Sequence, residues 1–170
     1  MQKAIVTGAT GFIGASFVKF LTDKGIDVVA LGRKNIKEIS GTRRDKLRYA
    51  SYINLDMRDI GYLKKRLHEI SWDAGSGCVF FNLAWGGING LSDLNIDAQM
   101  KNVGWSVSAL EASVEIGCSR FIQVGTMEEA FTYRYLELDH NEHKEYNRHV
   151  IYSVAKIAAK NALALKASNL

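Results

Sequence analysis

The stretch Met1-Gln-Lys-Ala-Ile-Val-Thr-Gly-Ala-Thr-Gly-Phe-Ile-Gly14, at the start of the chain, decides the fold. The apolar run at residues 4–6 predicts a buried strand, and three glycines follow it at regular spacing: Gly8, Gly11 and Gly14. Apolar side chains then recur at helical spacing, so the glycines connect a strand to a helix. Such a turn between a strand and a helix is a strong indication of nucleotide binding.

Each of the three glycines has a physical reason to be there. Gly8 permits a tight turn out of the strand, where a Cβ atom would clash. Gly11 lets the backbone approach a ligand closely, and Gly14 lets the helix pack close to the sheet. The N–H groups at the helix start, at the positive end of its dipole, favour a pyrophosphate.

The remaining sequence alternates strands and helices, which predicts an α/β, doubly wound parallel sheet (Rossmann fold) in one domain, residues 1–170. The predicted strands are residues 27–31, 47–55, 78–81 and 120–124. The predicted helices cover residues 60–70, 92–117 and 149–167, and residues 35–45 form a loop or a short helix. Ser92 is expected to cap the long central helix, which Gly117 ends.

The composition is that of a soluble globular protein, with 47% apolar and 24% charged residues among 170. No apolar run approaches the length of a membrane span, and no signal peptide is visible, so we expect a cytoplasmic protein with no membrane partner. Cys78 and Cys118 are isolated along the sequence and are interpreted as reduced packing residues, with a disulfide or a nucleophile disfavoured.

A basic segment lies between Arg33 and Arg66, where eleven Lys or Arg stand against four Asp or Glu and give a local charge of +7. Such a segment could bind nucleic acid. It has no interleaved aromatic residues and no nucleic-acid motif, so a basic surface beside an anionic cofactor explains it with fewer assumptions. We therefore expect no nucleic-acid partner.

The candidate catalytic pair is Tyr152 and Lys156, in the sequence Tyr-Ser-Val-Ala-Lys. A spacing of four places both side chains on one face of a helix. A phenol has a pKa near 10, too high for a base at neutral pH, and a nearby ammonium is expected to lower it. Thr126 lies just after the fifth predicted strand.

The glycine run from Thr7 to Gly14, with Thr126, Tyr152 and Lys156 in order behind it, resembles the extended short-chain dehydrogenase/reductase family, and within it the NAD(P)-dependent nucleotide-sugar epimerase/dehydratase group. The resemblance implies hydride transfer between a sugar carbon and nicotinamide, with Tyr152 as the acid/base and Lys156 on the nicotinamide ribose. It also implies that Thr126 hydrogen-bonds the reacting oxygen. The implied cofactor-binding residues are Gly8, Thr10, Gly11, Phe12, Ile13, Gly14, Arg33, Asp56, Met57, Leu83, Ala84 and Lys156.

The nature of the cofactor depends on the end of the second strand, where an acidic residue would bind the ribose hydroxyls of NAD. This chain has Gly32 there, followed by Arg33 and Lys34. No carboxylate would repel a 2′-phosphate, and the Arg33 guanidinium could bind one, so NADP is preferred over NAD. Asp56 is interpreted as an adenine contact or a helix cap, with Asp59 the better cap candidate.

Departures from the family pattern limit the activity that can be predicted. Members of the group that dehydrate sugars place Asp-Glu after the threonine, whereas this chain has Met127-Glu128. Epimerisation or ketone reduction is therefore favoured over dehydration, with Glu128 still available as a base. Trp85, Met127 and Glu128 could contact the substrate, although Trp85 could equally be a core residue. The resemblance also implies a further strand and a C-terminal substrate domain, which this 170-residue chain lacks.

Two alternatives to an epimerase stay open. One is an NADPH-dependent 4-keto-sugar-nucleotide reductase, and the other is a non-catalytic NADP-binding sensor or scaffold module. No metal site is expected, because the spacing of His140 and His143 fits no standard site. The polar stretch around them, between Phe131 and Val150, is predicted to be a mobile loop. The sequence leaves a homodimer open.

Overall fold

The computed structural model describes residues 2–75, 77–87, 93–139 and 147–170. The first half of the chain contains β1 (Lys3–Thr7), α1 (Phe12–Asp23), β2 (Asp27–Gly32), α2 (Gly41–Lys46), β3 (Ser51–Asn54), α3 (Leu63–Glu69) and β4 (Cys78–Asn82). The second half contains α4 (Ile96–Glu115), β5 (Arg120–Gln123), α5 (Thr132–Asp139) and α6 (Asn147–Ala167). Short 3₁₀ helices cover Ile36–Glu38, Met57–Tyr62 and Met127–Phe131.

The five strands form one parallel sheet in the order β3-β2-β1-β4-β5. The chain winds outward from β1 through β2 to β3, and then returns to the other side of β1 to build β4 and β5. The winding direction therefore reverses between β1 and β4. In open α/β sheets, ligands bind at the carboxyl ends of the strands beside such a reversal. The predicted doubly wound fold is confirmed.

Alternate residues of the central strands supply two hydrophobic clusters. Ile5, Val29 and Phe80 belong to one cluster, which also contains residues of α3 and α4. Ala4, Val28 and their neighbours belong to the other, which contains residues of α1. Burial on both faces explains why β1 and β4 read as continuous apolar runs in the sequence.

The structure divides into two compact units: residues 1–84 with 108–124, and residues 85–107 with 125–170. The first unit holds the sheet, the glycine turn and the end of α4. The second holds the start of α4, the residues after β5, α5 and α6. Within the second unit, α6 packs against α5 and against the Met127–Phe131 turn.

Several predicted boundaries were wrong for identifiable reasons. The third strand begins at Ser51 rather than 47, because Leu47 ends α2 and is buried there. Asp56, not Asp59, caps the following helical segment, since its carboxylate accepts a hydrogen bond from the Arg58 N–H. The segment predicted as a mobile loop contains α5 from Thr132, whose hydroxyl donates to the Glu128 carbonyl.

The central helix ends where the sequence predicted. The helix ends at Glu115. Gly117, two residues further on, has φ of +82°, a left-handed conformation that favours glycine. Ser92 lies outside the described residues, and so do His140 and His143. At the start of α4 the Asn95 side chain accepts a hydrogen bond from the Ala98 N–H.

Candidate active site

The glycine turn after β1 has the geometry that its sequence predicts. Gly8 has φ of +65°, and a Cβ atom there would lie 2.8 Å from the Ala84 nitrogen. A Cβ atom on Gly14 would lie 2.2 Å from the Gly8 carbonyl oxygen, so α1 packs directly on the turn. Gly11 precedes α1, and no side chain caps the helix start. The first N–H groups of α1 are therefore left to a ligand or to water.

The side chains at the start of α1 leave this turn open. Phe12 is 80% exposed and Ile13 is 66% exposed, although both are large apolar residues. Thr10 lies beside Gly32 at the end of β2, where a Cβ atom would meet the Thr10 methyl group and the Tyr52 hydroxyl, each at 2.7 Å. The turn after β1 and the end of β2 thus adjoin each other at the carboxyl edge of the sheet.

Basic side chains surround this edge within the same unit. Arg33 and Lys34 are exposed, and the Arg33 charge helps to hold down the pKa of Asp56. Arg43, in α2, donates a hydrogen bond to the Thr10 carbonyl oxygen at 3.2 Å. Sequence reasoning counted Arg43 only as part of the basic segment, because its approach to the glycine turn depends on how α2 packs on α1.

Asp56 is already engaged with a neighbour. Its carboxylate accepts from the Arg58 N–H at 3.0 Å and forms a salt bridge with the Arg58 guanidinium at 3.1 Å. Burial opposes ionisation, but these Arg58 hydrogen bonds leave the net pKa of Asp56 below its ordinary value. Met57 packs against the core beneath it. Asp56 is therefore a helix cap, and its predicted adenine contact stays a prediction.

The residues after β4 are held in place from β1. The Thr7 hydroxyl donates to the side-chain oxygen of buried Asn82 at 2.5 Å, and the Ala84 N–H donates to the Thr7 hydroxyl oxygen at 3.1 Å. Asn82 also donates to the Gln123 side chain of β5 at 2.7 Å. This network fixes Leu83 and Ala84 beside Gly8. Thr7 has no sequence signal beyond its place before the first glycine.

The predicted catalytic residues come together in the second unit. Thr126 is extended and caps the Met127–Phe131 turn, where its side chain accepts a hydrogen bond from the Glu128 N–H. Glu129 accepts a hydrogen bond from the Thr126 N–H at 2.9 Å, which completes a capping box. The Lys156 Nζ atom lies 5.8 Å from the centre of the Tyr152 ring.

Trp85 packs against both members of the Tyr-Lys pair. Its ring meets the Tyr152 ring edge to face, with 6.0 Å between centres, and the Lys156 Nζ atom lies 3.9 Å from the centre of a Trp85 ring. A cation at this distance from an indole face is attracted by the ring quadrupole. The Trp85 indole N–H donates to Gln99 at 2.7 Å. Sequence reasoning did not single out Gln99, because a polar helix residue carries no signal of burial.

The ionisation of the pair differs from the expectation. Burial raises the pKa of the Tyr152 phenol above 10.0, the Glu129 and Glu128 carboxylates raise it further, and the Thr126 hydrogen bond opposes them. Burial also lowers the pKa of Lys156 to about 8, which Glu129 partly offsets. The expected net lowering of the Tyr152 pKa was wrong, because burial and the two carboxylates outweigh the effect of Thr126. Tyr152 is therefore a neutral phenol at neutral pH.

The substrate-side residues predicted from sequence have different environments. Met127 is 72% exposed. Glu128 is largely buried and contacts the His149 ring, with 3.3 Å between its carboxylate oxygen and Nδ1. His149 precedes Tyr152 by one helical turn on α6, and sequence reasoning assigned it only to a polar stretch. Asn102, in α4, exchanges hydrogen bonds with both backbone groups of Gly86.

Comparisons with known proteins identify the family of the chain. The sequence matches the NAD dependent epimerase/dehydratase family over residues 4–168. The chain belongs to that family. An uncharacterised protein of Escherichia coli, YbjS, is 29% identical over 107 residues, which are 63% of this chain and 31% of that protein.

Two solved structures share the fold of this chain. A UDP-Glc/GlcNAc 4-epimerase from Campylobacter jejuni has a TM-score of 0.71 at 17% identity, covering 99% of this chain and 50% of that chain. The Bordetella bronchiseptica enzyme WbmH, in complex with NAD+, has a TM-score of 0.67 at 16% identity, covering 98% and 52%. At such identities the likeness shows the fold, and this chain spans about half the length of these neighbours.

In the described ranges, no helix is long and apolar enough to cross a membrane. Among the same residues, no three His, Cys, Asp or Glu side chains are grouped closely enough to hold a metal ion.

The lowered pKa of Lys156 predicts a specific pH dependence of stability. Lys156 stays protonated up to about pH 10.5 in the unfolded chain but only up to about pH 8 in the folded chain. Because the unfolded state binds more protons between those pH values, the free energy of unfolding should rise there with pH. In Lys156→Met this rise should shrink by about 3 kcal/mol. Urea unfolding at pH 7 and pH 10 measures the difference.

Lys160→Met, at an exposed position one turn further along α6, controls for a lost positive charge. Equal pH profiles for Lys156→Met and the wild type would contradict the burial of a titrating lysine.

Proposed function

We propose that this chain is the dinucleotide-binding and catalytic part of an oxidoreductase or isomerase that acts on a nucleotide-activated sugar. The observation that carries the proposal is the cluster of Trp85, Tyr152 and buried Lys156, with the Lys156 Nζ atom 5.8 Å from the centre of the Tyr152 ring and one helical turn beyond it. This is the arrangement expected of an acid/base that exchanges a proton with a sugar hydroxyl or ketone. Family membership and the UDP-sugar epimerases among the structural neighbours support it.

The residues of the glycine turn suit a nicotinamide dinucleotide. Gly8 and Gly14 leave no room for a Cβ atom, and the start of α1 is uncapped and flanked by exposed side chains. We assign the pyrophosphate to this turn, the adenosine side to Arg33, Asp56 and Met57, and the nicotinamide ribose to Lys156. When bound, the nicotinamide supplies hydride acceptance or donation, and the protein supplies orientation and the proton.

The proton chemistry follows from the Thr126–Tyr152 pair. A neutral Tyr152 phenol can donate its proton to a ketone oxygen as that oxygen gains negative charge. The Thr126 hydroxyl stabilises the phenolate that remains, because its hydrogen bond favours the charged form. In the opposite direction, the phenolate accepts the proton of a sugar hydroxyl. Glu128 is the assigned second base, with His149 beside its carboxylate.

Ketone reduction is the second candidate, and the end of β2 favours it. No acidic residue occupies position 32, and Arg33 follows it. An NADPH-dependent 4-keto-sugar-nucleotide reductase would use this arrangement. Incubation with a 4-keto sugar nucleotide separates the two, since a reductase consumes NADPH stoichiometrically and an epimerase recycles its cofactor.

The choice between NAD and NADP belongs to this proposal. The family name and the WbmH complex mention NAD, so the comparisons give no support to the NADP preference. The preference rests on Gly32 and Arg33, and on Arg43 beside the glycine turn. A guanidinium that binds a 2′-phosphate typically contributes a charge-assisted hydrogen bond.

Substitution of Arg33 tests the cofactor directly. We expect Arg33→Ala to weaken NADPH binding about tenfold and to leave NADH binding unchanged, because only NADPH carries the 2′-phosphate. Titration of the chain with each nucleotide, followed by nicotinamide fluorescence, measures both constants. Arg44→Ala, an exposed arginine of α2, is the matched control. Tighter binding of NADH than of NADPH by the wild type would remove the NADP preference and favour an epimerase.

A further inference from the structure

Cys78 and Cys118 are 40 positions apart in sequence, yet their sulfur atoms lie 3.3 Å from each other. Both are free cysteines, with Cys78 fully buried at the start of β4 and Cys118 partly buried before β5. The sequence-based interpretation as separate packing residues missed this contact. Isolated cysteines give no indication of partnership until the order of the strands is known, because β4 and β5 are neighbours.

The backbone around both residues is fixed by hydrogen bonds. The Ser119 N–H and the Ser119 hydroxyl both donate to the Cys78 carbonyl oxygen, each at 2.9 Å. On the other side, the Cys118 N–H donates to the Ser113 carbonyl oxygen across the end of α4. The two sulfurs are thus held close together by the fold, about 1.3 Å beyond the length of an S–S bond.

We propose that Cys78 and Cys118 form a thiol–disulfide site that reacts with low-molecular-weight disulfides and closes to an intramolecular disulfide. The partly buried Cys118 attacks one sulfur of the small disulfide as its thiolate, forming a mixed disulfide and releasing one small thiol. Cys78 then attacks the Cys118 sulfur of that mixed disulfide and releases the second small thiol. The protein dithiol is oxidised, the small disulfide is reduced to two thiols, and no other oxidant is needed.

The local electrostatics favour the Cys78 thiolate, which attacks the Cys118 sulfur in the second step. The Cys118 S–H group lowers the pKa of Cys78 by hydrogen bonding to its sulfur, against the effect of burial, and the Lys3 ammonium lowers it further. Lys3 is the β1 residue paired with Cys78 in the sheet. The same hydrogen bond and burial raise the pKa of Cys118. The pair therefore favours a single thiolate on Cys78, which accepts a hydrogen bond from the S–H group of Cys118.

The enclosed segment gives the modification a measurable consequence. A bond between residues 78 and 118 closes a long loop in the unfolded chain, which reduces its conformational entropy and stabilises the folded state. The oxidised protein should melt about 10 °C higher than the reduced one. The site lies in the unit that holds the sheet, and the inference does not depend on the nucleotide-sugar activity.

The test is incubation of the whole chain with mixtures of oxidised and reduced glutathione, followed by intact mass and thiol counting. The wild type should lose two hydrogens and both thiols together, with no retained glutathione, and a proteolytic digest should link the two cysteine peptides. Cys118→Ser should leave Cys78 largely unmodified, and Cys78→Ser should retain one glutathione on Cys118. Two glutathiones per wild-type chain, covalent dimers, or two unreacted thiols after prolonged incubation would overturn the proposal. The wild-type digest shows whether the Cys78 and Cys118 peptides are linked, and so it tests the proposal even if a variant does not fold.

Discussion

Tyr152→Phe is expected to lower turnover of a nucleotide sugar by about 10²–10⁴-fold, the usual contribution of a positioned general acid or base. The substitution removes the phenol oxygen, whose pKa Thr126 lowers, but keeps the ring that packs on Trp85. Folding and nucleotide binding should therefore change little. The measurement is product formation from a panel of nucleotide sugars with NAD+ or NADPH, in this chain or in any longer protein that contains it.

The matched control is Tyr133→Phe, a tyrosine of α5 in the same unit that is 77% exposed. It should leave turnover and melting temperature unchanged. Full activity in Tyr152→Phe would exclude the proposed acid/base and would leave the non-catalytic sensor or scaffold module as the better account. Loss of activity in both variants would instead indicate a general defect of the second unit.

Gly14→Ala should lower both stability and nucleotide affinity. The added Cβ atom would lie 2.2 Å from the Gly8 carbonyl oxygen and 3.0 Å from the Ala9 Cα, and neither backbone atom can rotate away. Overpacking of this kind costs about 1–3 kcal/mol or more, so the melting temperature should fall by about 5–10 °C. Nucleotide binding should weaken by more than about tenfold, since α1 and the glycine turn must move apart.

Gly104→Ala is the control for this prediction, because Gly104 is also a helical glycine but a Cβ atom added there would have no neighbouring atom within 4 Å. Alanine there should stabilise α4 by roughly 0.5–1 kcal/mol through helix propensity. Thermal melts of both variants, together with nucleotide titrations, measure the two effects. Equal stability of Gly14→Ala and the wild type would show that α1 does not pack on the turn as described.

Local periodicity predicted the sheet well because its central strands are buried on both faces. Ala4, Ile5 and Val6 are fully buried. The turn after them requires glycine at its first position, because Gly8 has a positive φ. Features that depend on one or two adjacent residues are visible in a sequence. The five strands were accordingly found, with errors confined to their ends.

The chemistry of the site was less predictable, because pKa values depend on burial and on residues that are distant in sequence. Lys156 was expected to be an ordinary ammonium that lowers the pKa of Tyr152. Instead it is 6% exposed and lies over Trp85, which is 71 positions earlier in the sequence. The His149–Glu128 contact and the Cys78–Cys118 contact have the same origin. Each joins residues that no spacing rule connects, and only the packing of helices and strands brings them together.

The position of β5 at the end of the strand order has a consequence for handling the protein. An edge strand presents unpaired backbone groups that can template another strand. Here Ile122 is 41% exposed and Val124, just beyond the strand, is 39% exposed, so this edge also offers apolar surface. We expect the chain to aggregate through this edge at high concentration. Ile122→Lys should therefore increase its solubility.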